Sequence, residues 1–152
     1  MKWVTRARPK TDRIACPWLI RRFIDPSAEI IFVPADQVLA VAEREDGRSF
    51  DAPGADYTHR EGRCSFEVLI EEFHLASDPA LRRLARIVHA ADISEDRGSD
   101  PLGPGLEAIG VGGLDVEADD QRLLERGVFV YDALYEWCRR AATDASRRDA
   151  TP

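Results

Sequence analysis

The stretch Lys2–Pro34, KWVTRARPKTDRIACPWLIRRFIDPSAEIIFVP, contains the pattern that decides the fold of this chain. Residues 2–6 are rich in strand-forming side chains, and the β-branched run at residues 29–33 is typical of a buried strand. Between them, apolar residues recur at helical spacing over residues 11–24. Strand, helix and strand within some thirty residues predict a βαβ unit with parallel strands and a right-handed crossover.

Pro17 complicates the start of the helix in this unit. If Thr11 or Asp12 caps the helix, Pro17 lies beyond the first helical position, where a proline is best tolerated. The pattern therefore leaves two alternatives: a helix that is kinked in its first turn, or a helix that begins later, near Cys16.

The remainder of the chain predicts more helices than strands. Ser49–Asp51 is a candidate third strand, and Asp78-Pro79 begins the strongest helical pattern, which runs to Asp92. Six of the ten glycines fall between residues 93 and 115, where we expect a flexible loop with a short helix near Leu106–Gly110. Further helices are expected at residues 35–45, from Ser65 onward, from Asp119 or Asp120 through Leu124, and from Val128 to about Ala142.

These patterns place the chain in the α/β class. We expect a helix-rich domain with a small sheet of two to four strands, a βαβ start and about five to seven helices. With 152 residues and 44% hydrophobic side chains, the chain can bury a core without disulfide or metal staples. We assign residues 1–142 to one domain and expect residues 143–152 to form a polar, disordered tail.

Charge and apolar runs limit the classes of function. The net charge is −7, but residues 1–24 carry +6 and the remainder −13. An acidic body argues against general nucleic-acid binding, while the basic edge permits a local anion site or a set of solvated charges. No apolar run is long enough to cross a bilayer, and no secretory leader is apparent, so we expect a cytoplasmic protein without a membrane partner. The sequence is compatible with a homo-oligomer and does not decide the oligomeric state.

The histidines provide the pattern that is most typical of a reactive site. His89 and Asp92 are three residues apart on one expected helix, so they share a face near its end. His59 lies in an expected loop, and Glu67 lies in the first turn of the following helix. His59, Glu67, His89 and Asp92 together predict a site for a divalent metal ion, Fe, Mn or Zn. The alternative is that His89 is an imidazolium that complements the helix dipole and pairs with Asp92.

Two further features adjoin this candidate site. Arg13, Arg21 and Arg22, with Asp12, are expected to form an edge that binds a small oxyanion, because guanidinium groups suit such ligands. Cys64 is flanked by basic residues, and an exposed thiol there would have a depressed pKa and redox activity. The alternative is that Cys64 is a small buried apolar residue. The three cysteines form no C-x-x-C pair, so neither a disulfide framework nor a zinc ribbon is indicated.

Long segments of the chain resemble the C-terminal domain family of the chromate-resistance protein ChrB. The matching segments are Thr5–Pro26, Phe32–Pro34, His59–Glu67, the helix around His89, and Val130–Cys138. In that family the domain is often fused to an N-terminal DNA-binding regulator or to a rhodanese-like domain. Because this chain starts directly at the first strand, we expect a stand-alone domain and no direct transcriptional regulation.

The resemblance implies an association with chromate sensing or resistance. Residues similar to His59, Glu67 and His89 recur in the family, which supports their selection as metal ligands. We therefore expect a metal-dependent oxidoreductase or oxyanion-handling protein whose ligand is a small oxyanion or other small molecule. The alternative is a sensing or accessory module without turnover, so whether the domain is an enzyme is left open.

Overall fold

A three-stranded parallel sheet forms the centre of the computed structural model, which describes residues 1–150. Strand β1 (Lys2–Arg6) lies between β2 (Glu29–Val33) and β3 (Arg48–Ser49), in the order β2-β1-β3. The parallel pairing of β1 with β2 confirms the expected βαβ unit. The third strand is found where it was expected but is shorter, since it ends at Ser49.

The crossover helix contains an internal proline. Helix α1 (Asp12–Leu19) begins at the earlier of the two predicted positions, and Pro17 lies within it. A π-helical turn, Ile20–Ile24, continues the helix, and the amide of Asp25 closes it on the carbonyl of Ile20 at 2.7 Å. Proline lacks an amide hydrogen, so Pro17 cannot donate the backbone hydrogen bond that a residue inside a helix normally makes.

The next three helices follow the expected pattern. They are α2 (Val38–Arg44), α3 (Ser65–Glu72) and α4 (Pro79–Asp92). Short 3₁₀ turns at Ala35–Gln37 and Ser94–Asp96 precede α2 and follow α4.

The short helix expected near Leu106–Gly110 is longer than predicted, and the flexible loop expected around it over residues 103–116 was wrong. Helix α5 (Gly103–Val116) contains 14 residues. A Cβ atom added at Gly103 would lie 2.5 Å from the Cβ of Ala90, so the glycine allows α5 to pack directly on α4. This close packing compensates for the poor helix propensity of glycine. The local sequence shows the propensity but not the packing.

The last two expected helices are a single element. Helix α6 runs over Asp120–Asp149, and Gly127 in its interior allows close contact with α1. A Cβ atom at Gly127 would lie 2.7 Å from Cγ2 of Ile14. Residues 143–149, which the sequence assigned to a polar tail, continue this helix, while residues 151–152 of that tail lie outside the described part of the chain.

Alternate residues of β1 point into two apolar clusters on opposite faces of the sheet. Val4 contacts the smaller cluster, together with Val38 and Val41 of α2. Trp3 belongs to the larger cluster, which extends through Trp18 to Phe66 and is covered by the other helices. Helices on both faces are usual for parallel strands. Among residues 1–150, no helix is long and apolar enough to cross a membrane.

Candidate metal site

Three aspartates and one histidine meet at the carboxyl edge of the sheet. Asp12 begins α1, which follows β1, and Asp51 comes two residues after β3. Because β1 and β3 are parallel, their carboxyl ends lie at the same edge, where ligand sites of open α/β sheets are usually found. Asp92 ends α4, and His59 comes from the loop between β3 and α3. We call Asp12, Asp51, His59 and Asp92 the aspartate cluster.

His59 is the centre of the aspartate cluster. Its Nε2 atom lies 3.0 Å from Oδ2 of Asp92, 3.3 Å from Oδ2 of Asp12 and 3.4 Å from Oδ1 of Asp51. The side chain of His59 is 42% exposed, whereas those of Asp12 and Asp51 are only 2% and 5% exposed. The cluster is therefore open to solvent on the histidine side and closed on the carboxylate side.

Backbone and hydroxyl donors hold the two buried carboxylates in place. Oδ2 of Asp12 accepts from the amide of Ser65 at 2.7 Å, and Oδ1 accepts from the amide of Phe66 at 3.3 Å. Both amides belong to the first turn of α3, so Asp12 supplies the negative charge that this helix end favours. Oδ1 of Asp51 accepts from the Ser65 hydroxyl at 2.9 Å. These contacts fix both carboxylates without using all of their oxygen lone pairs.

Two guanidinium groups flank Asp51. Arg6 donates from Nη2 to Oδ2 of Asp51 at 2.9 Å and from Nε to the Asp51 carbonyl at 2.6 Å. Nε of Arg13 lies 3.5 Å from the same Oδ2. Of the three arginines that the sequence assigned to anion binding, the structure therefore brings Arg13 to this cluster.

The other two predicted anion-binding arginines have different surroundings. Arg21 donates to the carbonyl of Ala28 at 3.2 Å. Arg22 pairs with Asp132 of α6 at 3.0 Å, and its guanidinium lies over the ring of Tyr135. Neither side chain has a contact with the aspartate cluster in the described part of the chain.

Burial and charge alter the protonation of the aspartate cluster. Burial raises the pKa of Asp12 to about 7 against the hydrogen bond from His59, and the charges of Asp92 and Asp51 add to the increase. Hydrogen bonds to Asp12, Asp51 and Asp92 raise the pKa of His59 to about 12. Burial opposes ionisation of Asp51, but the hydrogen bond from His59 and the positive charges of Arg6 and Arg13 lower its pKa overall. The cluster therefore favours a positive charge at the position of the imidazole.

A second group of polar side chains surrounds His89. Its Nδ1 lies 2.7 Å from Oε2 of Glu67, and its Nε2 lies 2.7 Å from Oδ2 of Asp96. The amide of Cys64 donates to the same Oε2 of Glu67 at 3.0 Å, which caps α3. Burial opposes protonation of His89, but the two carboxylates more than offset it and raise the pKa. We call Cys64, Glu67, His89 and Asp96 the His89 cluster.

The structure divides the four predicted metal ligands into two pairs. His59 and Asp92 lie in the aspartate cluster, whereas Glu67 and His89 lie in the His89 cluster. Within each cluster, one donor atom from each of three residues lies within 4.8 Å of the other two: Asp12, His59 and Asp92 in one, and Cys64, Glu67 and His89 in the other.

Asp12 and Asp51 are not among the metal ligands that the sequence pattern predicts. The pattern predicts Asp12 at a helix cap and in the anion-binding edge, and Asp51 in a strand. The signal that could have found them is their position, because each acid follows a strand of a parallel sheet. Cys64 is fully buried, and burial raises the pKa of its thiol, so the depressed pKa expected of an exposed thiol does not arise.

The fold and the site define a small α/β domain in which carboxylates and a histidine converge at the carboxyl edge of a parallel sheet. The chain belongs to the family described as ChrB, C-terminal domain, whose model matches residues 3–138. It is 38% identical over 136 residues to Protein ChrB of Cupriavidus metallidurans, across 88% of this chain. The chain spans about 40% of the length of that relative. No solved structure matches the chain.

Proposed function

We propose that this domain binds a divalent metal ion through Asp12, His59 and Asp92, with Asp51 beside them, and that it handles a small oxyanion in chromate resistance. The observation that supports metal binding is the spacing of the donor atoms. Ligands that lie about 2.1 Å from one ion are separated by about 3 to 3.4 Å. The three distances from His59 Nε2 to the carboxylate oxygens are 3.0, 3.3 and 3.4 Å.

The charge of the aspartate cluster also supports a cation. Three carboxylates converge, and two of them are almost completely removed from solvent. An imidazolium is one way to neutralise them, and a divalent cation bound to a neutral imidazole is another. The mixed nitrogen and oxygen donors suit Zn, Fe(II) or Mn(II) and are poor ligands for Cu(I).

The His89 cluster is a weaker candidate for the ion. Both ring nitrogens of His89 already have carboxylate partners at 2.7 Å, and Glu67 also accepts from a backbone amide. Burial further raises the pKa of the Cys64 thiol, although a thiolate is the form that binds a metal. These contacts favour a structural role for the His89 cluster, in which its side chains are hydrogen-bonded to one another.

Membership of the ChrB C-terminal domain family supports the connection to chromate resistance. The guanidinium groups of Arg6 and Arg13 lie beside the proposed ion and are suited to neutralise a tetrahedral oxyanion. A metal ion held by three protein ligands would provide Lewis acidity toward such an anion. A sensing or accessory role would use the same site without turnover.

Metal titration of matched variants tests the proposal. We expect the purified protein to bind one equivalent of Zn or Mn(II) by calorimetry and elemental analysis. His59→Ala should weaken binding about 100-fold, because even outer-sphere changes cost about 10- to 100-fold. His89→Ala and the control His74→Ala should retain binding within about threefold. Loss of the ion in His89→Ala together with retention in His59→Ala would place the metal in the His89 cluster and contradict the proposal.

Turnover is tested separately with the metal-loaded protein. Chromate consumption in the presence of a thiol reductant, abolished in His59→Ala and retained in His74→Ala, would identify a metal-dependent oxidoreductase. Chromate binding without consumption would identify the sensing or accessory module.

A further inference from the structure

A separate cavity of about 300 Å³ lies between α5, α6 and the segment that leads from β1 into α1. Its inner wall is apolar and includes the buried side chains of Ile14, Leu106 and Leu123, with Tyr131 beside them. The volume is at the lower end of the range found for small-molecule sites, about 300 to 1,000 Å³. Thr11 lines this cavity, whereas the adjacent Asp12 points to α3 and the aspartate cluster.

The walls of the cavity are held in place by fixed contacts. The guanidinium of Arg8 donates to the carbonyls of Leu114 at 2.6 Å and Ala118 at 2.8 Å and pairs with Asp120. It thereby ties the connection between α5 and α6 to the strand side of the cavity. The hydroxyl of Tyr131 donates to the Thr11 carbonyl at 3.0 Å and fixes the opposite wall. The cavity is thus part of the folded framework and not a gap between loose segments.

One cation at this cavity lacks a partner. The chain has two lysines, and the ammonium of Lys2 pairs with Glu45 at 2.5 Å. Lys10 lines the cavity, and its ammonium has no hydrogen bond or ion pair with any residue of the described range 1–150. The other charged residues that line the cavity, Glu117 and Arg126, lie 3.7 Å apart and balance each other. An uncompensated positive charge therefore borders an apolar cavity.

Large apolar side chains extend the cavity to the surface. Ile109 and Val116 of α5 line the cavity and are 56% and 76% exposed. Burial of such apolar area by a ligand is favourable, because it removes the area from water. The apolar rim and the unpaired ammonium together match a molecule with an apolar body and one anionic group.

We propose that this cavity binds a small amphipathic carboxylate, with its hydrocarbon body between α5 and α6 and its carboxylate at the ammonium of Lys10. The unpaired ammonium selects an anion, and the apolar walls select a hydrocarbon or aromatic body over a hydrophilic one. The site is independent of the metal site, because it uses none of the residues of the aspartate cluster.

Titration with octanoate and 1-octanol tests this site, since the two molecules share a chain and differ in charge. We expect both to bind by NMR chemical-shift titration, with shifts at Leu106, Leu123 and Val130, and octanoate to bind more tightly. Lys10→Met should weaken octanoate about tenfold, in line with the loss of one charge-assisted contact, and leave octanol within about twofold. Lys2→Met, the same substitution at the paired lysine, should change neither affinity.

A rim variant separates ligand binding from protein association. Ile109→Asp places a carboxylate at an exposed position of the cavity and should abolish octanoate binding while the thermal melt stays cooperative. Failure of both octanoate and octanol to bind would overturn the proposal. So would a concentration-dependent dimer that dissociates in Ile109→Asp, with no octanoate binding, because the rim would then be a protein contact. Octanoate binding that Lys10→Met leaves unchanged would also overturn it.

Discussion

The two histidine clusters of this domain contain similar residues in different surroundings. In the aspartate cluster, one imidazole nitrogen faces three carboxylates, two of which are buried and held by donors from α3 or from arginines. In the His89 cluster, each imidazole nitrogen has one carboxylate, and the carboxylate of Asp96 is 53% exposed.

The aspartate cluster therefore concentrates negative charge around one nitrogen atom, whereas the His89 cluster distributes it over two. Carboxylates that share one partner in a buried position repel each other, so they bind a proton or a cation more tightly. Carboxylates that each have a separate hydrogen bond and access to water gain little from an added cation. The convergence of acids on one imidazole atom is therefore a better indication of a cation site than the number of acids around the ring.

The largest contrast is expected in stability. Asp12→Ala should lower the free energy of unfolding by about 2 kcal/mol, because it leaves the buried amides of Ser65 and Phe66, in the first turn of α3, without their carboxylate acceptor. Relief of repulsion with Asp51 and Asp92 keeps the loss from being larger. Asp96→Ala, the corresponding change in the His89 cluster, should cost less than about 0.5 kcal/mol. Urea unfolding of both variants gives the comparison, and equal losses would show that burial does not distinguish the clusters.

A smaller contrast is expected in anion binding. In the metal-loaded protein, Arg13→Ala should weaken chromate binding about tenfold, because it removes a guanidinium beside the proposed ion. Arg22→Ala should leave chromate binding within about twofold, since Arg22 pairs with Asp132. Calorimetric titration with chromate measures both, after metal content has been shown to be unchanged. A stronger effect of Arg22→Ala than of Arg13→Ala would indicate that chromate binds at the surface formed by α1 and α6.

The smallest contrast is expected in the pH dependence of stability. The pKa of His89 is raised, so its contribution is complete below the unfolded value of about 6.5 and is lost as the pH rises through the folded value. The pKa of His59 is raised to about 12, so its contribution also begins to decline above about 6.5 but is not fully lost until the pH approaches 12. The stability difference between the parent and His89→Gln should therefore shrink between pH 6 and pH 9, by at most about 1 kcal/mol.

The difference between the parent and His59→Gln should also shrink over this interval in metal-free protein, and it should keep shrinking above pH 9, whereas the difference for His89→Gln levels off once the pH has passed the folded pKa of His89. Chemical unfolding at several pH values checks both curves. A difference for His59→Gln that levels off at the same pH as the one for His89→Gln would show that the two imidazoles have similar surroundings.

Sequence patterns predicted much of the fold because those patterns are local. The strand-forming residues at 2–6, the β-branched run at 29–33 and the apolar period between them predict the βαβ unit directly. The cap and proline at Asp78-Pro79 mark the start of α4 in the same way. Only the short helix near Leu106–Gly110 was predicted within α5, because the close approach of Gly103 to Ala90 on another helix is not visible in the local sequence.

The candidate site was predicted in part, and the missing part has a physical reason. His59 and Asp92 were selected for residue type, and they do lie 3.0 Å apart. Asp12 and Asp51 were missed as ligands because their position after a strand becomes informative only when it is known which strands pair. They become partners of His59 when the parallel pairing of β1 and β3 brings two strand ends to one edge.

The sequence by itself determined the α/β class, the family and the positions of the first strands and helices, since these depend on side-chain type and spacing along the chain. Only the tertiary structure decided which carboxylates converge on which histidine. It also decided that Cys64 is buried and that Lys10 stands unpaired beside an apolar cavity. These properties depend on distances between residues that are remote in sequence, and such distances are set by packing of the whole domain and not by any local pattern.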